Sequence, residues 1–355
     1  MPIFHYLCFE LHYNAMKRTF LSLLILVTAL TALATPYNGK QQKMLPEVRV
    51  TESNADTAVV TTNKAATARA LVESGVSYYD GDDFPKAEEC FLKALETYTQ
   101  LFKQNPDTYR EDLAGVQDKL GNIYFDLHDD AKSEDFYLKA LENKIYLFNK
   151  DPEAYRASVA ETQVNLGTLY ADTENYAKAE ECFLEALKNY TKLFSISPEG
   201  YRASLALTQN NLGSLYADKH DYAKAEEYHL KALENYTLLL AKDPDTYRTD
   251  LALTQNFLGI LYSDTRKYAK AEEYFLKALE NRTLLYGQSP EAHLEDMAMI
   301  QWNLMLIYSR TKNWRKYDSM LDQALKSYEI LAQQDARFQD DVADLRDRKL
   351  KRRMK

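Results

Sequence analysis

The residues of this chain that could bind a metal or carry a proton are 6 His, 3 Cys and 53 Asp and Glu among 355 positions. Catalysis needs such groups gathered at set spacings, as in HExxH for zinc, GxSxG for a nucleophilic serine or CxxC for redox chemistry. None of these motifs occurs, nor does a glycine-rich phosphate loop. His128 and His220 fall in equivalent polar breaks, His229 and His293 stand where related segments carry aromatics, and His5 and His12 lie near the N-terminus. A zinc site takes three or four protein ligands, which these scattered positions do not offer. The expectation is a chain that is not an enzyme, with no catalytic residue, cofactor, metal or small-molecule substrate.

What the sequence repeats is a phrase. Residues 163–187 (QVNLGTLYADTENYAKAEECFLEAL), 209–233 (QNNLGSLYADKHDYAKAEEYHLKAL) and 255–279 (QNFLGILYSDTRKYAKAEEYFLKAL) are near copies. Gly75, Gly121, Gly167, Gly213 and Gly259 follow at steps of 46, with Met305 in the sixth place; Pro106, Pro152, Pro198, Pro244 and Pro290 keep the same step. A period of this order means a stack of supersecondary units. Each unit reads as two helices. Asn105, Asp151, Ser197, Asp243 and Ser289 each precede Pro and then an acid, combining an N-cap, a proline at the first helical position and a carboxylate at the positive end of the helix dipole. Leu251, Leu258, Leu261 and Tyr262 stripe the first helix of one copy, and Ala271, Phe275, Ala278, Leu279 and Leu285 the second. Neither helix can bury its stripe alone, so stacked copies must complete one core.

Leu212, Gly213, Tyr216, Tyr222, Ala225, the position four residues on (aromatic in other copies) and Ala232 resemble the tetratricopeptide repeat, over residues 63–333 and six copies. The copies run 46 residues against about 34 in typical members, resembling the longer repeats of the kinesin light chain type. Both helices should then reach about 20 residues, roughly 30 Å. The resemblance implies an all-α, right-handed superhelical α-solenoid of about six antiparallel helix pairs plus a C-terminal capping helix over 334–355. It also implies a binding scaffold that holds a protein or peptide in a concave groove lined by the first helices. Carried over by position, the groove wall comprises Asp118, Asn122, Asn165, Thr168, Asn210, Asn211, Ser214, Asn256 and Trp302. An asparagine amide both donates and accepts, so this row can pair with an extended peptide backbone. Its other use is a bond to the neighbouring helix, because Asn is a poor helix former. Asp80, Asp126, Asp172, Asp218 and Asp264 close the first helices, either as turn formers or as an acidic rim. The alternative to groove binding is a self-associating structural component of the cell envelope.

Ahead of the array, Met16-Lys17-Arg18, the apolar run Phe20 to Leu30 and Ala32-Leu33-Ala34 have the layout of a secretory signal peptide over 1–34, cleaved near Ala34. The run is shorter than the about 20 residues of a spanning helix, so no integral span is expected after cleavage. Residues 1–15 fit no part of the layout, and translation from Met16 would account for them. Residues 35–62 show no period and read as a flexible leader. An exported protein, periplasmic or extracellular, is expected. The net charge of −9 argues against nucleic acid or an anionic membrane surface as a general partner. The basic run Arg346 to Lys355 reads as a solvated helix end. Cys90 and Cys182 hold one place in repeats one and three, about 20 Å apart at about 10 Å per helix layer, which predicts two free, mostly buried thiols and no intramolecular disulfide. Asn189, Asn235 and Asn281 open N-glycosylation triplets, but share one helical position and read as repetition.

Overall fold

The computed structural model describes residues 52–354. The signal layout and leader residues 35–51 lie outside them. Among the described residues there are thirteen α-helices, one 3-10 turn and no strand. The first helices of the pairs are α1 (Glu52–Asp80), α3 (Pro106–Asp126), α5 (Pro152–Asp172), α7 (Pro198–Asp218), α9 (Pro244–Asp264) and α11 (Pro290–Arg310). Their partners are α2 (Phe84–Gln104), α4 (Asp130–Lys150), α6 (Tyr176–Ile196), α8 (Tyr222–Leu240), α10 (Tyr268–Gln288) and α12 (Trp314–Gln334). The turn Ala336–Phe338 leads into α13 (Gln339–Arg353). This is the all-α architecture of consecutive antiparallel pairs that the period predicts.

Two compact units divide the chain between Tyr201 and Arg202, inside α7. Within the first, α1 to α6 pack each on the next, and α3 also touches α5. Within the second, α8 to α13 do the same, and α9 touches α11. In each unit a first helix thus touches the first helix of the next repeat, which sets first helices side by side.

The proline-marked starts fall where the sequence puts them. The side chains of Asn105, Asp151 and Asp243 accept the N–H of Thr108, Ala154 and Thr246 at 3.1 to 3.3 Å. Ser289 does not: it makes no side-chain capping bond. The second helices carry a cap series of their own, in which Asp83, Asp129, Asn175, Asp221 and Asn313 accept from the N–H three residues on. Between the helices of a pair, one residue per copy is left-handed: Asp82, His128, Glu174, His220, Arg266 and Lys312 have φ of 56° to 60°. That explains the polar, repeat-variable break, since a bulky β-branched residue would be strained there. The leader expected over 35–62 needs correction at its end. Residues 52–62 are helical and run into α1, with no Pro or Gly before Gly75 to stop them.

The helices of a pair meet at the glycines. A Cβ on Gly167 would stand 2.6 Å from the Phe183 ring, and one on Gly259 2.5 Å from Phe275. Both rings are almost fully buried, so the small residue sets how closely the pair approaches. Cys90 and Cys182 are free and half-buried, and burial pushes the Cys182 thiol up to about 11.

Candidate functional site

The first-helix layer is where the sequence places a binding wall, and much of its polar content is spent holding the layer together. In the first unit Asn122 Oδ1 accepts from Tyr137 OH at 2.7 Å and from Asn165 Nδ2 at 3.3 Å. Thr168 Oγ1 donates to the Val164 carbonyl at 3.0 Å. Asp118 is ion-paired with Lys144 and accepts from Thr162 Oγ1 at 2.9 Å. In the second unit Asn210 Nδ2 donates to Thr254 Oγ1 at 2.7 Å, and its Oδ1 lies 3.2 Å from His229 Nδ1. Of the two uses open to the asparagine row, Asn122, Asn165 and Asn210 serve the neighbouring helix. Ser214 and Trp302 are half-buried and retain accessible surface. Trp302 stands edge-on to Tyr328 and under Arg348 of α13.

Asn256 and Asn211 differ from the rest. Asn256 is 1% exposed, yet neither side-chain polar atom has a partner, and the Nδ2 of Asn211 has none either. The reason for Asn256 lies in the repeat. It stands one period after Asn210, whose partners His229 and Thr254 are replaced one period on by Phe275 and Ile300. A buried amide without partners costs about 1–3 kcal/mol. Asn256→Val, which installs the residue found at the equivalent Val164, is expected to stabilise the second unit by about that amount. A thermal melt that falls instead would show a partner at Asn256 in solution.

Two buried cations occupy a position that is Tyr98, Tyr190, Tyr236 and Tyr328 in the other copies. Lys144 Nζ donates to Thr162 Oγ1 at 2.8 Å and to the Ser158 carbonyl at 3.2 Å besides pairing with Asp118. Burial opposes both charges. Asp118 and Glu161 more than offset it for Lys144, whose ammonium is held above its ordinary range, while burial keeps the Asp118 carboxyl raised. Arg282, 2% exposed, lies 3.0 Å from Asp296 and 3.5 Å from His293. Burial lifts the nearby Asp250 to about 7, against the pull of Arg282. The break in an otherwise tyrosine column is the sequence signal that marks both cations.

His229 is a core residue. Burial depresses its pKa to about 3, so the ring is neutral and its Nδ1–H faces Asn210. Above about pH 6.5, the ordinary His value, folded and unfolded states are both neutral and the shift contributes nothing. Below it the unfolded state binds a proton that the fold does not, and stability falls as pH falls. Between pH 6.5 and 5 this amounts to about 2 kcal/mol. Denaturation of His229→Phe beside the parent across that range should show a shallower acid loss in the variant. Parallel curves would contradict a neutral buried ring.

Several sequence motifs resolve into packing. Asn143 and the glycosylation-triplet Asn189, Asn235 and Asn281 each accept from Arg110, Arg156, Arg202 and Arg248 at 2.9 to 3.1 Å and donate to Gln117, Gln163, Gln209 and Gln255 at 3.0 to 3.1 Å. This Arg-Asn-Gln chain joins the helices of four pairs. At the helix ends Tyr124, Tyr170, Tyr262 and Tyr308 donate to Glu88, Glu134, Glu226 and Glu272. In the acidic row, Asp126 accepts from Tyr79 OH, and burial lifts it to about 6. The basic tail is largely paired: Arg346 with Glu329, Lys349 with Asp322, Arg352 with Asp318 and Arg348 with Asp344. Among the described residues no group of three or more His, Cys, Asp and Glu could hold a metal ion, and no helix is long and apolar enough to cross a membrane.

On the second helices one position is apolar and open in five copies. Leu92, Leu138 and Leu184 in the first unit and Leu230 and Leu276 in the second are 37% to 46% exposed.

Comparison with known proteins follows the same division between fold and site. The tetratricopeptide repeat profile matches residues 112–192, 158–237 and 204–284. A search of curated protein sequences gives no match. Among solved structures the chain is similar to BtubC (BKLC) from P. vanneervenii, with a TM-score of 0.57 and 21% identity over 70% of this chain and 92% of that one. It is also similar to PilW, a widely conserved type IV pilus biogenesis factor, with a TM-score of 0.52 and 16% identity over 78% and 97%, and to the apo form of RapI, with 0.52 and 18% over 78% and 92%. At these identities the likenesses speak for the fold alone. Paired helices of constant period, a glycine seam against a buried ring and a profile match across successive copies make this chain a tetratricopeptide repeat protein.

Proposed function

We propose that this chain is an exported, non-catalytic scaffold that holds a protein or peptide against its layer of first helices. The observation that carries the reading is that layer itself. Successive first helices touch within each unit, and Lys119 in the first unit and Ser214, Phe257, Ile260 and Trp302 in the second keep accessible surface. Such partly open side chains on the packed first helices of one unit suit a ligand laid across neighbouring repeats. Export rests on the layout from Met16 to Ala34 and places the scaffold in the periplasm or outside the cell.

The five open leucines of the second helices favour one further reading, self-association through the outer layer as a structural component of the envelope. Affinity purification from the cells that make the protein separates the two. Lys119→Glu with Ser214→Trp should lose the co-purifying protein, while Leu138→Ser with Leu230→Ser should keep it. The reverse pattern, or recovery of the chain's own copies only, would favour the outer layer.

A further inference from the structure

Within the second unit α9 to α12 meet through buried apolar side chains such as Leu258, Phe275, Leu285 and Leu304, but α13 is joined to α12 largely through charge. The apolar side chains that α13 buries are Val342 and Leu345, while its Leu350 and Met354 stand 59% and 79% exposed. Three ion pairs run beside them in antiparallel order: Arg346 with Glu329 at 2.7 Å, Lys349 with Asp322 at 2.7 Å and Arg352 with Asp318 at 2.9 Å. Two of the three acids break the repeat. Asp322 stands where the other five second helices carry Leu, and Glu329 where they carry Thr or Ile. So α12 gives up an open leucine for a carboxylate at the point where Lys349 meets it. Both tryptophans of the chain lie under the same helix. The Arg348 guanidinium is 5.5 Å from the ring centre of Trp302 on α11, and that of Arg352 is 4.7 Å from the ring centre of Trp314 on α12.

We propose that α13 is a charge-held latch, which undocks from α11 and α12 in a salt-dependent step of its own while α9 to α12 stay folded. Two apolar side chains are a small hold for a helix of 15 residues, because every residue ordered in it loses backbone freedom and a helix of that length is marginal by itself. The rest of the attraction comes from ion pairs whose side chains are 29% to 62% exposed. Pairs so open to solvent weaken as salt is added. Opening uncovers the ring of Trp302 on the first helix α11, so the state of the latch sets how much of the first-helix layer is open at that end. The latch stands whatever that layer binds, and its test needs no ligand.

Amide hydrogen exchange of the full chain, read by mass spectrometry at low and high salt, follows the latch helix by helix. Fluorescence of the two tryptophans follows it independently. Between about 0.02 M and 0.5 M sodium chloride, exchange in α13 should speed up by about tenfold or more. Exchange in α9 to α12 should stay as it was, and the tryptophan emission should shift to the red over the same range. Asp322→Lys changes a side chain that is 62% exposed and so leaves α12 folded. It should speed exchange in α13 by about tenfold already at low salt. Asp322→Lys combined with Lys349→Asp restores the pair in the reverse sense and should return most of the protection, which a folding defect would not allow. Exchange of α13 in step with α12, indifference of α13 to salt, or a reversed pair that restores nothing would each overturn the proposal.

Discussion

Lys144→Met is expected to destabilise the first unit by about 3–5 kcal/mol, because it leaves Asp118 buried and charged without its ammonium. The substitution is nearly isosteric, so little of the loss would come from packing. The partner change sets the sign of the argument. Lys144→Tyr combined with Asp118→Val reproduces what repeat three carries at Tyr190 and Val164, and buried ion pairs replaced by packed apolar side chains are often neutral or stabilising by about 1–4 kcal/mol. The double variant should therefore recover the stability lost by the single one. Amide hydrogen exchange in α3, α4 and α5 reads this locally, which matters in a repeat protein whose unfolding need not be two-state. A single variant as stable as the parent would mean that Asp118 is solvated or protonated rather than paired.

Gly167→Met should cost about 3 kcal/mol, at the upper end for overpacking, because its Cβ alone would stand 2.6 Å from a buried ring. The sixth copy shows the compensated form, in which Met305 faces the seam and Leu321 stands in the ring position. Gly167→Met with Phe183→Leu should then regain most of the loss, and a double-mutant cycle gives the coupling directly. Equal cost with and without Phe183→Leu would show that the glycine serves the backbone and not the ring.

The repeat made the fold legible. A period of 46, five proline-marked starts and a glycine in five of the six first helices fixed helix number, pairing and the boundaries inside the array, because each signal acts through local geometry that recurs whatever lies next to it. Binding residues were less legible. Position in a repeat places a side chain on a wall but does not say whether a neighbour answers it. Asn210 and Asn256 are the same residue in the same place, yet both polar atoms of one are partnered, by His229 and Thr254, and the other is orphaned by Phe275 and Ile300. The Arg-Asn-Gln chain was hidden for a related reason: its members are separated by 26 and 33 residues, and only the folded pair shows them in line. The start of α1 at Glu52 was missed because a helix without the repeat's period gives no phase to read.

Site-specific photo-crosslinking in the cells that make the protein tests the central claim most directly. A photoreactive residue is placed at Lys119, Ser214 or Ile260 on the first helices, and at Leu138 or Leu230 on the second. The account predicts that first-helix positions link to one recurring foreign protein and that second-helix positions do not. Links from Leu138 and Leu230 alone, or only between copies of this chain, would contradict it and give the leucine row the function assigned here to the first helices.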